Sequence, residues 1–214
     1  MNIAKRSGNI LTSFLKAYGP SNIKKILWDR EFSGTKWDFI DDTAGDCVYP
    51  HLEKYARGGD ILDLGCGPGN TANELAGSAY KTYVGVDISE AALEKARQRT
   101  AKNGRTDKNT FVVGDFIKYE PTQKFDVILF RESMYHVPII KIKETLDHYS
   151  NYLQKDGVFV IRIATSDKEH QGEEKPRPAA MVQVMEREFE VVEKHRHEGV
   201  SRPTVLVLRP RNRG

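Results

Sequence analysis

The sequence predicts an α/β fold: a doubly wound sheet of seven strands, mostly parallel with a C-terminal antiparallel hairpin, and helices on both faces. Three observations carry that expectation. Short apolar runs rich in Val, Ile and Phe, bounded by Gly, Asp or Pro, recur from residue 61 onward. Helical stretches separate them, and a repeated strand–helix–strand pattern gives parallel strands joined by right-handed crossovers. The last two runs, FEVVEKHRH (189–197) and PTVLVLRP (203–210), are joined by a few residues including Gly199. So short a link forces antiparallel pairing.

Taken in order, residues 1–57 read as a helical, loop-rich lid or cap, and residues 58–214 as the core of what is one domain overall. The opening MNIAKRSGNILTSFLKAYG suits an amphipathic helix of the fold. Ser21 is placed to cap NIKKILWDREF, and Thr43 to cap AGDCVYPHLEKYA. RGGD (57–60) marks the boundary. The predicted strands are then ILDL (61–64), TYVGV (82–86), TFVVG (110–114), FDVILF (125–130) and GVFVIRI (157–163), followed by the hairpin. Ser89 caps EAALEKARQRTAKNG, with Gly104 as its stop. In PIIKIKETLDHYSNYL, Ile139, Ile142, Leu146, Tyr149 and Leu153 share one helical face, with Pro138 in the first turn.

Bulk composition narrows the function classes. A chain of 214 residues with 39% hydrophobic and 29% charged residues suits one folded, soluble domain. A net charge of +3 does not call for a nucleic-acid partner, and the basic end RPRNRG reads as a solvated tail. No apolar run reaches the roughly 20 residues that span a bilayer. Two cysteines, Cys47 and Cys66, make neither a disulfide framework nor a zinc site by themselves, so a reducing, cytoplasmic setting and no metal are expected. His51, His148, His170, His195 and His197 read as surface residues.

The chemistry is concentrated around DILDLGCGPGN (60–70). In an open parallel sheet, ligands bind beyond the carboxyl ends of the strands. Gly65, Gly67 and Gly69 lie on that edge, where backbone without side chains can approach a ligand closely. Asp63, Asp87 and Asp115 stand at three successive strand ends. A carboxylate such as Asp87, 22 residues after Gly65, can accept both hydroxyls of a ribose, and Asp115 an exocyclic amine. A pyrophosphate binder wants G-x-G-x-x-G, but Asn70 stands where the third glycine belongs, and Asp63 would repel phosphate. S-adenosylmethionine carries no phosphate but an ammonium and a sulfonium, which an acidic pocket suits.

At these residues the chain resembles a known family. ILDLGCGPGN, VGVDIS, GDF and FDVILF look like the successive motifs of the class I S-adenosylmethionine-dependent methyltransferases, over roughly residues 45–210. The resemblance implies a Rossmann-like core, with S-adenosylmethionine as donor and S-adenosylhomocysteine as product. It implies that Gly65, Gly67 and Gly69 underlie the methionine and ribose, with Cys66 and Ile88 beside them. Asp87 would hold the ribose hydroxyls, Asp115 and the Phe116 backbone the adenine, and Asp63 the methionine ammonium. LWDREFSGTKWDF (27–39) is similar to the aromatic lid of small-molecule members; Trp37 would face the sulfonium, while Trp28 reads as packing.

Methyl transfer from a sulfonium needs alignment more than proton chemistry. The candidate catalytic residues follow the fourth strand in RESMYHVP: His136 as general base, with Tyr135 and Glu132. Arg131 is placed to pair with a carboxylate of donor or substrate. TSDKEHQGEEKPRPAAM (165–181) reads as a polar flap or surface loop over the site. The expected partner is a small-molecule acceptor, with no nucleic acid or membrane and either monomer or homodimer. The rivals are a protein or nucleic-acid methyltransferase, a non-catalytic donor-binding module and a dinucleotide oxidoreductase.

Overall fold

The structure, a computed structural model, describes residues 11–12, 14–34, 43–164, 178–198 and 202–211. The elements in chain order are α1 (Ser21–Phe32), α2 (Tyr49–Ala56), β1 (Asp60–Leu64), α3 (Asn70–Glu74), β2 (Thr82–Asp87), α4 (Glu90–Lys102), β3 (Asn109–Val113) and β4 (Phe125–Arg131). They continue through two 3₁₀ turns, Met134–His136 and Ile139–Lys141, to α5 (Ile142–Ser150), β5 (Leu153–Ala164), α6 (Pro178–Glu188), β6 (Phe189–Arg196) and β7 (Pro203–Pro210). Of the opening stretch, residues 14–18 are helical, and residues 1–10 lie outside the described ones.

Among the described residues, seven strands form one sheet in the order β3-β2-β1-β4-β5-β7-β6. All pairs are parallel except β5–β7 and β7–β6. The chain therefore winds outward from β1 in one direction and from β4 in the other. The order reverses between β1 and β4, which places the ligand crevice beyond their carboxyl ends.

The strands are near-continuous apolar runs because both faces are covered. On one face Leu62, Leu64, Phe130, Phe159 and Leu206 pack with Leu146 and Tyr149 of α5 and Met181 and Met185 of α6. On the other, Ile61, Val127, Val160 and Val207 pack with Leu52 of α2 and Leu75. No helix among the described residues is long and apolar enough to cross a membrane.

Local signals decide where helices begin and end. Ser89 caps α4 as expected, its hydroxyl accepting from the Ala92 amide at 3.2 Å, and Gly104 follows the helix with φ +63°. Four expectations need correction. α1 is capped by Pro20, and Ser21 is already its first residue, with its hydroxyl turned to Asp115. The second helix begins at Tyr49, not after Thr43, because Pro50 lacks an amide hydrogen and suits a first turn. Asp46 Oδ1 instead accepts the Val48 amide at 3.0 Å. Beyond Pro138 the chain makes a 3₁₀ turn before the α-helix begins at Ile142. Of the predicted flap, residues 165–177 lie outside the described ones, and from Pro178 the chain is helix rather than loop.

Candidate functional site

Between β1 and α3 all three glycines hold positive φ: +83° at Gly65, +53° at Gly67 and +74° at Gly69. At two of them space is also closed. A Cβ on Gly65 would lie 2.5 Å from the Ser133 Cβ, and one on Gly69 would lie 2.7 Å from the Ala96 Cβ. The loop is pinned to β2 by the Gly65 and Cys66 amides, which donate to the Val86 carbonyl at 2.8 and 3.1 Å. The Asp87 carboxylate joins loop to helix: Oδ2 accepts the Gly67 amide and Oδ1 the Ser89 amide, each at 2.9 Å. Burial raises the Asp87 carboxyl above its ordinary pKa despite these bonds.

Asp63, the last but one residue of β1, is 1% exposed. The Tyr83 hydroxyl donates to its Oδ2 at 2.5 Å, while Oδ1 is buried with no hydrogen-bond partner. Burial, helped by the nearby Asp87 charge, outweighs Tyr83 and Arg131 and pushes its pKa up to about 6. The buried Ser133 hydroxyl is also unpartnered. Two orphaned polar atoms thus lie on the two strand exits that flank the topological switch, where a buried group without a partner costs about 1–3 kcal/mol. Cys66 is buried, its thiol pKa raised by burial and then by Asp87 and Asp63. Ile88 is half-buried beside Asp87.

Helix α1 lies across the three strand tips. At the β3 tip, Asp115 Oδ2 accepts the Ser21 hydroxyl at 2.9 Å and the Lys24 ammonium at 3.3 Å. Asp115 Oδ1 accepts the Ile117 amide at 3.2 Å. At the β2 tip, Asp29 Oδ1 accepts from the Ser89 hydroxyl at 2.8 Å and the Ala91 amide at 3.2 Å. At the β1 tip, the Phe32 ring reaches within 3.8 Å of the position a Gly67 Cβ would take. Phe116 packs edge-on against Phe130, with ring centroids 6.1 Å apart, and its carbonyl accepts the Tyr149 hydroxyl.

At the β4 tip a network of four charges appears. Arg131 and Arg162 are register partners on β4 and β5, two like charges side by side. The Asp46 carboxylate joins them, accepting Arg131 Nη2 at 2.7 Å and Arg162 Nε at 3.0 Å. Burial would raise the Asp46 carboxyl, but the two arginines outweigh it and hold its pKa below the ordinary value. Arg162 also pairs with Glu132, whose φ of +55° is a strained backbone for a non-glycine residue. Burial, against the pull of Arg162, raises the Glu132 pKa.

Tyr135 is buried, with its hydroxyl donating to the Ala164 carbonyl at 2.6 Å, and burial drives its pKa far above the ordinary value. The same hydroxyl is also within hydrogen-bonding reach of Glu132. His136 stands half-buried, edge-on to Trp28 with ring centroids 5.0 Å apart. Trp28 carries the Lys16 ammonium 3.8 Å from its ring centre, so it packs against both the N-terminal segment and the turn after β4.

The structure thus gathers Asp63, Gly65, Cys66, Gly67, Gly69, Asp87, Ile88, Asp115, Phe116, Arg131, Glu132, Tyr135 and His136 along one edge of the sheet; Trp37 lies outside the described residues. The carboxylate that Arg131 meets is the chain's own Asp46. Sequence reasoning missed Lys24, Asp29, Asp46 and Arg162. Arg162 had a signal, a lone charge inside the apolar strand GVFVIRI. Asp46 had none. His51 is no surface residue: it is 9% exposed and lies beside His195 and His197.

Comparison with known proteins places the chain among methyltransferases. A family described as a methyltransferase domain matches residues 56–198. The 27-O-demethylrifamycin SV methyltransferase of Amycolatopsis mediterranei is 30% identical over 119 residues, 52% of this chain and 44% of that protein. The ubiquinone biosynthesis O-methyltransferase of Neisseria meningitidis is 32% identical over 120 residues, 55% and 49% of the two chains. A sterol 24-C-methyltransferase of Pneumocystis carinii is 28% identical over 121 residues, 54% and 32%. The chain thus spans between 32% and 49% of the length of these relatives. Among solved structures, the N-methyltransferase NodS of Bradyrhizobium japonicum, bound to S-adenosyl-L-homocysteine, superposes with a TM-score of 0.68 at 16% identity. That match covers 88% of this chain and 98% of NodS.

Proposed function

Since the chain belongs to the methyltransferase-domain family, of the class I S-adenosylmethionine-dependent type, we propose that it transfers a methyl group from S-adenosylmethionine to an oxygen, nitrogen or sulfur atom of a small-molecule acceptor in the cytoplasm. The observation that carries this reading is the set of carboxylates at successive strand tips around a glycine loop. Within it, Asp63 Oδ1 is buried and unpartnered. A buried acidic oxygen with no donor suits a cationic ligand and is unfavourable to a phosphate.

We assign the residues to the donor group by group. Asp63 receives the methionine ammonium. Gly65, Cys66, Gly67 and Gly69 lie under the methionine and ribose, Asp87 with Ile88 beside it takes the ribose hydroxyls, and Asp115 with Phe116 takes the adenine. When bound, the donor supplies a methyl group on a cationic sulfur with its leaving group already in place. The chain's own task is then to hold the acceptor in line and exclude water, and such orientation supplies about 7–11 kcal/mol in favourable cases.

Residues 1–57 act as the lid, with α1 as the part that meets the tips. His136, beside the donor's methyl group, takes the acceptor's proton where one must leave. Glu132 meets the acceptor, and Tyr135, its hydroxyl fixed on Ala164, sets the position of the turn that carries His136. Arg131, held by Asp46, screens the methionine carboxylate side of the pocket. The relatives named above act, by their names, on 27-O-demethylrifamycin SV, in ubiquinone biosynthesis and on a sterol, which supports a small-molecule acceptor.

Thermal denaturation with ligands tests the reading. S-adenosylhomocysteine raises the transition temperature, since a ligand of the native state stabilises by RT ln(1 + [L]/Kd), and NAD does not. A shift with NAD alone, or with neither, contradicts it.

A further inference from the structure

A group of metal-ligand side chains lies away from the glycine loop, on the face of the sheet's last strand. His51 of α2 and Glu193 and His195 of β6 bring their ligand atoms within 4.8 Å of one another. His51 Nδ1 is 3.1 Å from Glu193 Oε2, and His195 Nε2 is 3.9 Å from the same oxygen. Around a tetrahedral zinc ion with bonds of about 2.1 Å, neighbouring ligand atoms are about 3.4 Å apart. Both distances already straddle that value.

Next to this group, but outside its 4.8 Å set, stands His197. Its ring centroid lies 6.5 Å from that of His51 and 6.4 Å from that of His195. Its Nε2 is buried and has no hydrogen-bond partner among the described residues. A buried ring nitrogen with no protein partner is free to take a ligand.

The strand is built to aim these residues together. Glu193, His195 and His197 alternate, so they share one face of the chain. A register shift between Val191 and Glu193 inserts one extra residue into β6. Before the shift, Phe189 points into the core on the α5 side. After it, the odd-numbered residues are turned to the opposite face, where Val192 already packs and α2 lies. Without the bulge the three would face away from His51.

We propose that His51, Glu193, His195 and His197 bind one divalent transition-metal ion of the zinc type, tying α2 to the edge strand of the sheet. Imidazole with one carboxylate is a donor set for zinc, nickel or copper and not for magnesium or calcium. Lys54 pairs with the other Glu193 oxygen, leaving Oε2 to face the three rings. α2 follows directly on the Asp46 loop, so the ion would brace the segment that delivers Asp46 to Arg131 and Arg162.

Equilibrium dialysis against zinc chloride, with metal analysis, tests this on the full chain made without a polyhistidine tag and stripped with a chelator. The parent chain retains one zinc per chain, and the ion raises its transition temperature. His195→Gln and His51→Gln each weaken zinc binding by at least tenfold, while His148→Gln leaves it unchanged. His195 has a side chain 54% exposed on an edge strand, so that variant folds and carries the test even where His51→Gln does not. A parent chain that retains no stoichiometric zinc overturns the proposal, and so does an affinity unchanged by His195→Gln.

Discussion

Lys24, on the first helix, places its ammonium 3.3 Å from the carboxylate of Asp115, 91 positions later at the end of β3. Both side chains are nearly buried. The contact puts α1 on the carboxylate to which we assign the adenine amine, so helix and ligand compete for one group. Lys24→Met removes the competitor and leaves Asp115 short of a donor. Calorimetric titration is expected to show S-adenosylhomocysteine binding about fivefold tighter, the worth of roughly 1 kcal/mol. Weaker binding would mean that Lys24 keeps its place when the ligand is present.

Asp63 sets a trade between stability and binding. Its pKa stands at about 6, above the ordinary 3.8, because it is buried. The folded chain therefore holds its proton more tightly than the unfolded chain, and stability is lost as pH rises from about 4 through about 6. Asp63→Asn escapes that penalty, keeps an acceptor for Tyr83, and is expected to raise the transition temperature of the ligand-free chain at pH 7.5 but not at pH 4. It abolishes the shift with S-adenosylhomocysteine. In the parent, ligand affinity falls as pH drops through about 6, because the proton takes the place of the ligand's ammonium. A pH-independent affinity would sink the assignment.

The glycine loop tolerates no side chain at its first position. Gly65→Ala meets both a φ of +83° and a Cβ 2.5 Å from Ser133. Gly104→Ala meets a φ of +63° with nothing within 4 Å. The first should lower stability by about 2 kcal/mol more than the second, roughly 4–8 °C in transition temperature. Equal losses in thermal unfolding would show that the loop can open away from Ser133.

Asp46 holds two arginines that would otherwise repel. Among the described residues, Asp46→Asn leaves Arg131 and Arg162 adjacent with Glu132 alone to balance them, and the expected loss is about 3–5 kcal/mol at pH 7 in urea unfolding. Because the folded pKa of Asp46 is depressed, its contribution is present above about pH 4 and disappears as pH falls below it. The parent and Asp46→Asn curves should therefore converge in acid. Curves that stay parallel down to pH 2 would remove Asp46 from the account.

How much of this was legible in the chain follows from range. The sheet was readable because each strand is a local apolar run, and the hairpin because its link is short. The glycines and the three acidic tips were readable because each belongs to a strand end. The cap of α4 was readable from Ser89 itself, whereas Ser21 and Thr43 follow the same local rule and are drawn elsewhere. Ser21 turns to Asp115, and the Thr43 hydroxyl donates to Glu74 Oε2 at 2.7 Å. What the chain hid is contact at a distance: Lys24 with Asp115, Asp46 with Arg162 at a separation of 116 positions, and His51 with Glu193 at 142. Arg162 aside, whose charge interrupts an apolar strand, no local pattern announces such pairs, since each half is an ordinary polar residue until the fold supplies the other.

The central claim is that strand-tip carboxylates hold a cationic, phosphate-free nucleoside ligand. Titrating S-adenosylhomocysteine and NAD separately into the parent chain and into Asp87→Ala, by calorimetry in one buffer, tests it most directly. One-site binding of S-adenosylhomocysteine to the parent, its loss in Asp87→Ala and no heat with NAD is the predicted result. Binding of NAD in its place, or S-adenosylhomocysteine binding that survives the substitution undiminished, would contradict it.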